Sequence, residues 1–326
     1  APAEPQRTSV AATARRPERT GNGGRPASRP PARAVLPVQP PLFSSLGRGI
    51  VAVGRSPAIL ASAFLGLLLL WLLYSTTGVI LGVAPGTLGQ LQAIPPLHAL
   101  LDSNLMSVSV QVFPPATTLA LIAALVLLRA GLVSYWVSVL RVELARPDED
   151  PETIGRPWSR AVWSFRTVLA LEALYVLLFV ALSLFIAQLL GFPGVMLLAL
   201  GLTYFLAFAT PAAVVEGAGT REALRLSTRA ARARGPQHIL LVFVLVFAVV
   251  ALVVRFGGPT FAVTPSIPVW AYALGLTFLH VGVLATLVDR WMSLRDDVSA
   301  SVAARSQTDR GRLAGSRLRS GGDAAE

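Results

Sequence analysis

Apolar residues in this chain fall in long runs, and the runs set its architecture. They cover about 57–82, 115–140, 161–189, 193–215, 238–257 and 267–289. Each meets the roughly 20 residues that a helix needs to cross a hydrocarbon core. The pattern predicts an all-α fold, a polytopic membrane bundle of six transmembrane helices. Pro57 falls in the first turn of its run, where a missing N–H is well tolerated. Residues 1–42, rich in Ala, Pro, Arg, Ser and Gly, show no apolar periodicity and read as a disordered tail, as do residues 291–326. Between the tails, residues 43–290 form the expected transmembrane domain. At 43–55 apolar residues mix with two arginines, as expected of a short helix lying in the membrane interface.

The polar connections alternate in kind. Arginine is absent between Arg55 and Arg129, then crowds the 141–160 and 216–237 connections and both tails. Loops rich in basic residues stay cytoplasmic, so the alternation predicts an even number of spans with N-in/C-in topology in a cell membrane. Arg255 is the exception, at the outer end of the fifth run, where a long side chain can reach headgroups. The long outer connection at 83–114 carries Asp102 as its single charge. Trp158, Trp163, Trp270 and Trp291 flank the runs as interfacial anchors do.

Composition agrees. Charged residues are 14% of the chain against 54% hydrophobic, where a soluble domain carries about 25% charged residues. The net charge of +11 is entirely arginine on the basic side, since lysine is absent. This bias, with abundant Ala, Gly and Pro, points to a GC-rich bacterial genome. The positive charge falls in tails and inner connections, where each basic residue near anionic headgroups contributes about 1 kcal/mol. Membrane lipids are therefore the expected partners, and nucleic acid is not. Without cysteine there are no disulfides or thiolate metal sites.

Charge inside a span is costly, which singles out Arg129 and Glu172. Arg129 precedes Arg141 by twelve residues and Glu172 follows Arg160 by twelve. Both thus lie about 18 Å from the inner boundary, on consecutive antiparallel helices. An ion pair at that depth would offset part of the insertion cost and set the helix register. His280 lies at a similar depth in the sixth run. The three form either a polar intramembrane site or a structural pair with a hydrogen-bonded histidine elsewhere. Tyr135, Tyr175, Thr203, Tyr204 and Thr210 offer further polar contacts between helices.

The inner connection from 216 holds the strongest local motif. Arg221, Arg225, Arg229 and Arg232 recur at helical spacing, placing them on one face of a cytoplasmic helix over 220–235. Thr220 is the expected N-cap, and Gly235-Pro236 the stop. Such a helix is expected on the inner membrane surface, its arginines toward anionic headgroups. The acids Asp148, Glu149, Asp150 and Glu152 read as a solvated connector.

Pro211 and Glu216 close the fourth run, and Glu222, Ala223, Leu224, Arg225, Ser227 and Arg229 follow as an Ala-Leu-Arg-x-Ser helix. This arrangement resembles the six-span membrane domain of glycerophosphoryl diester phosphodiesterases and its stand-alone relatives. In fused members a soluble barrel carries the hydrolase activity. The segment after Trp291 is too short for one, so the resemblance implies a membrane protein without that activity.

Enzymatic signatures are lacking. Without lysine there is no Walker A or Schiff-base lysine; His98, His238 and His280 lie in different segments without metal-ligand spacing; and no G-x-S-x-G elbow occurs. The expectation is a non-enzymatic, lipid-interacting or envelope-supporting membrane protein with no cofactor. The alternative is the permease subunit of an ABC-exporter-like transporter, partnered by a separate cytoplasmic ATPase.

Overall fold

The structure is a computed structural model that describes residues 41–82, 113–145, 149, 156–233, 235–243, 275, 278–296 and 298. Among them all regular structure is helical: α1 (Leu42–Arg55), α2 (Pro57–Ile80), α3 (Pro115–Glu143), α4 (Pro157–Leu206), α5 (Ala209–Val215) and α6 (Thr220–Ala231), with further helix at 237–243 and 278–296. Four stretches are long and apolar enough to cross a membrane: Pro57–Ile80, Pro115–Glu143, Pro157–Phe179 and Pro193–Val215. The predicted N-terminal tail, the outer connection and most of the fifth predicted span lie outside the described residues.

α4 contains two antiparallel arms. Gly191, at φ 62° and ψ −156°, breaks the helical course, and Pro193 restarts it. A left-handed φ suits glycine, so the sequence reverses direction there without a loop. Many large apolar side chains along these helices face outward, among them Leu65, Leu69, Val79, Leu119, Leu127, Leu177, Phe185 and Leu197. A surface so apolar suits lipid rather than water.

Close helix contacts are made where small residues permit them. A Cβ at Gly66 of α2 would fall 2.6 Å from Leu132 of α3, and one turn away Trp136 Nε1 donates to Ser62 Oγ at 2.9 Å. Both ties cross the same helix pair, one by shape and the other by polarity.

α1 presents three faces. Leu42, Ser45, Gly49, Ala52 and Val53 are buried. Gly49 lies so close to 278–296 that a Cβ would meet Thr286 N at 2.9 Å. Beside it Arg48 grips Asp289 with two bonds, Nε to Oδ1 at 2.9 Å and Nη2 to Oδ2 at 2.8 Å; they raise the guanidinium pKa above its ordinary value. Phe43, Ile50 and Val51 stay exposed on a third side.

The last helix runs further than the sequence suggested. Residues 291–296 continue it, and Trp291, Leu294 and Val298 are buried, so the tail does not begin at 291. Trp291 is not an interfacial anchor. It packs at 6.3 Å from Phe208 and donates Nε1 to Glu216 Oε1 at 3.3 Å.

Glu149 corrects the reading of its acidic segment as a solvated connector. It is largely buried, pairs with Arg141, and accepts from Arg295 Nη2 at 2.7 Å. Two cations with nearby apolar cover hold this carboxylate, which sequence spacing alone does not disclose.

Candidate functional site

The fourth span is interrupted, and the interruption builds the site. Proline at 211 lacks an N–H and crowds the carbonyl four residues earlier, that of Ala207, so the helix breaks at 207–208. Severed backbone groups inside an apolar bundle must find partners. Ser227 supplies two: its hydroxyl accepts from Phe208 N at 3.1 Å and donates to Phe205 O at 2.7 Å. His238 donates Nε2–H to Tyr204 O at 2.8 Å, which requires the Nε2-protonated tautomer. The Tyr204 hydroxyl reaches Ala231 O at 2.6 Å, and Arg160 Nη1 caps Val215 O at 2.9 Å.

These bonds fold α6 back along α5 as a helical hairpin. Its turn needs Gly217, which has φ +66° and lies under Trp163, where a Cβ would meet the ring at 2.5 Å. The extended Gly219 then stands at the N-cap, so Thr220 is the first helical residue and makes no capping bond. The helix also closes at Ala231, short of the predicted 235.

Successive helical residues turn by about 100°. On that wheel Ala223, Leu226, Ser227, Ala230 and Ala231 share one side, and all are buried. Arg221, Arg225, Arg229 and Arg232 share the opposite side within about 80°; Arg221, Arg225 and Arg232 are exposed and Arg229 is partly buried. The helix is docked by one face, with Arg221, Arg225 and Arg232 exposed on the other. Leu224 stands between the two faces.

Leu224 also lines a cavity of about 140 Å³ between α3, both arms of α4, α5 and 278–296. The wall brings together residues that are far apart in sequence. Arg129 comes from α3, Glu172 and Tyr175 from the first arm of α4, Thr203 from the second, Thr210 from α5 and His280 from the last helix. Arg129 Nη2 donates to Glu172 Oε2, and both side chains are mostly buried. The Tyr175 hydroxyl lies 3.4 Å from Thr203 Oγ1. His280 packs edge-on at 6.0 Å against Trp136. The remaining lining is apolar, including Val133, Leu171, Leu174, Leu206, Val283, Leu284 and Leu287.

An apolar chamber with a few convergent polar groups is the usual form of a small-molecule site. This one holds the pair Arg129–Glu172 together with His280, whereas the arginines of α6 lie apart from its wall. Among the described residues no cluster of His, Asp or Glu could hold a metal ion.

Of the motif residues, Pro211 causes the break, Ser227 repairs it, and Glu216 anchors Trp291. Ala223 is fully buried, and Leu224 meets the cavity. Sequence reasoning missed His238 and Asp289 as partners, because both contacts are long-range. Pro211 inside an apolar run was the signal available for the break. No family model, no curated protein and no solved structure matches this chain.

Proposed function

We propose that this protein is a six-span membrane protein, N-in and C-in, that binds anionic lipid headgroups on the cytoplasmic face through α6 and carries out no catalysis. One observation carries the reading: Ser227 and Tyr204 fasten one face of α6 to the spans, leaving Arg221, Arg225 and Arg232 exposed on the other. A helix fixed in this way holds its guanidinium groups at a constant height beside the bilayer, and each contributes about 1 kcal/mol near anionic lipid. The resemblance to the phosphodiesterase membrane domains fits the same reading, since its motif residues fall within the α5–α6 hairpin, 211–229.

The span count rests on where the ends meet. Ion pairs join Arg48 to Asp289, and Arg295 to Glu149 and Glu216. The start of the first span, the end of the second, the end of the fourth and the last helix therefore share one end of the bundle. His238 begins beside Tyr204, and Val242 packs with Met196 and Ala199 toward the turn at Gly191. With the two further apolar runs at 238–257 and 267–289 of the sequence, the count we propose is six.

The test uses full-length protein purified in mild detergent and examined by native mass spectrometry. The wild type should retain phosphatidylglycerol over phosphatidylcholine, less so at high salt, where exposed charges are screened. Replacing Arg221, Arg225, Arg229 and Arg232 with glutamine should remove that preference. Equal retention by the variant would overturn the reading.

A further inference from the structure

The geometry points to the cavity as a binding site for a small apolar carboxylic acid, taken up in its neutral form and docked on the Arg129–Glu172 pair. This inference rests on the cavity alone and is independent of what α6 binds.

The chemistry follows from the wall. Arginine side chains only donate and ionised carboxylates only accept, so the pair presents a donor and an acceptor side by side. A carboxylic acid carries the complementary edge: its carbonyl accepts from the guanidinium while its O–H donates to Glu172. The proton can pass along that bond, giving a ligand carboxylate on Arg129 and a protonated Glu172. One O–H bond breaks and one forms, and the net charge of the site is unchanged throughout. A buried site at this depth accepts such a ligand because no uncompensated charge is brought into the bilayer.

Size narrows the class. A 150 Å³ apolar cavity is large enough for benzene, and this one measures about 140 Å³. The apolar side chains of Val133, Leu171 and Leu284 suit an aromatic ring or a short alkyl chain. The titratable groups facing Glu172 across the cavity are Arg129 from α3, Tyr175 from its own helix and His280 from the last helix; α5 and α6 contribute none to the wall.

The probe is benzoic acid, titrated calorimetrically into full-length protein in phosphatidylcholine nanodiscs, with empty nanodiscs subtracted. Simple carboxylic acids ionise near pH 4, so the neutral fraction falls about 100-fold between about pH 5.5 and pH 7.5. The apparent Kd, counted on total benzoate, should rise by about the same factor. Methyl benzoate keeps the ring and carbonyl but has no donor, and it should bind at least about tenfold more weakly than benzoic acid at the lower pH. Val133→Phe puts an aromatic ring into the space the ligand would fill and should abolish binding.

Failure of the wild type to bind benzoic acid would overturn the proposal. So would a Kd independent of pH, equal binding of the ester, or undiminished binding by a Val133→Phe variant that melts like the wild type. The ester comparison needs no variant, so a folding defect in Val133→Phe leaves the proposal testable.

Discussion

A hydroxyl at position 227 completes a helix to which it does not belong. Where α4 gives way to α5, Phe208 N and Phe205 O both bond to the Ser227 hydroxyl. Leaving a buried donor or acceptor unsatisfied costs about 1–3 kcal/mol. Ser227→Ala should therefore lower the melting temperature of the detergent-solubilised protein clearly, while a swap at exposed Arg225 should not. Equal melting of the two variants would remove Ser227 from this role. The Arg129–Glu172 pair makes a different prediction. Removing one partner of a buried pair strands the other charge, at about 3–5 kcal/mol. Arg129→Ala should thus be more destabilising than the Arg129→Ala/Glu172→Ala double variant in the same melts. Additive losses would show that the two charges do not act together. The pair was legible in the sequence because depth can be counted from the nearest boundary arginine. The bond from His238 to Tyr204 was not, because nothing local marks a histidine as the partner of a distant carbonyl.

At the scale of elements, helix positions followed from apolar run length, and α1, α2 and α3 begin where the pattern put them. The breaks were harder to read. Gly191 and Pro193 mark a reversal, and Pro211 marks an interruption, but only the packed structure shows that α6 folds back to fill it. Spacing had also placed four arginines on one face of α6, yet it said nothing of what the opposite face would meet. The docking of α1 depends on the absence of a side chain at Gly49. Gly49→Val would drive a Cβ into backbone at Thr286, which cannot give way as a flexible side chain can. This substitution should loosen α1 from the last helix, seen as faster proteolysis near Arg55. Arg48 is more than half exposed, so its bond to Asp289 contributes less, roughly 0.2–1 kcal/mol. Arg48→Gln should accordingly leave proteolysis near the wild-type rate; faster cutting than in Gly49→Val would reverse the ranking of shape over charge.

For the molecule as a whole, the arginines sort the connections, and the ion pairs gather chain ends at one pole of the bundle. The first was visible in the sequence and implied sidedness. The second was not, since Arg48 and Asp289 lie at opposite ends of the spanning region and no periodicity links them. Orientation across the bilayer is the claim on which the lipid reading depends, and a chain without cysteine suits a direct measurement. Single cysteines are introduced as Glu222→Cys on α6 and Asp102→Cys in the long connection after α2, then exposed in intact cells to a thiol reagent that cannot cross membranes. The expected result is labelling at 102 in intact cells and at 222 only after permeabilisation. Labelling at 222 from outside would place the arginine helix on the wrong face and contradict the proposed topology.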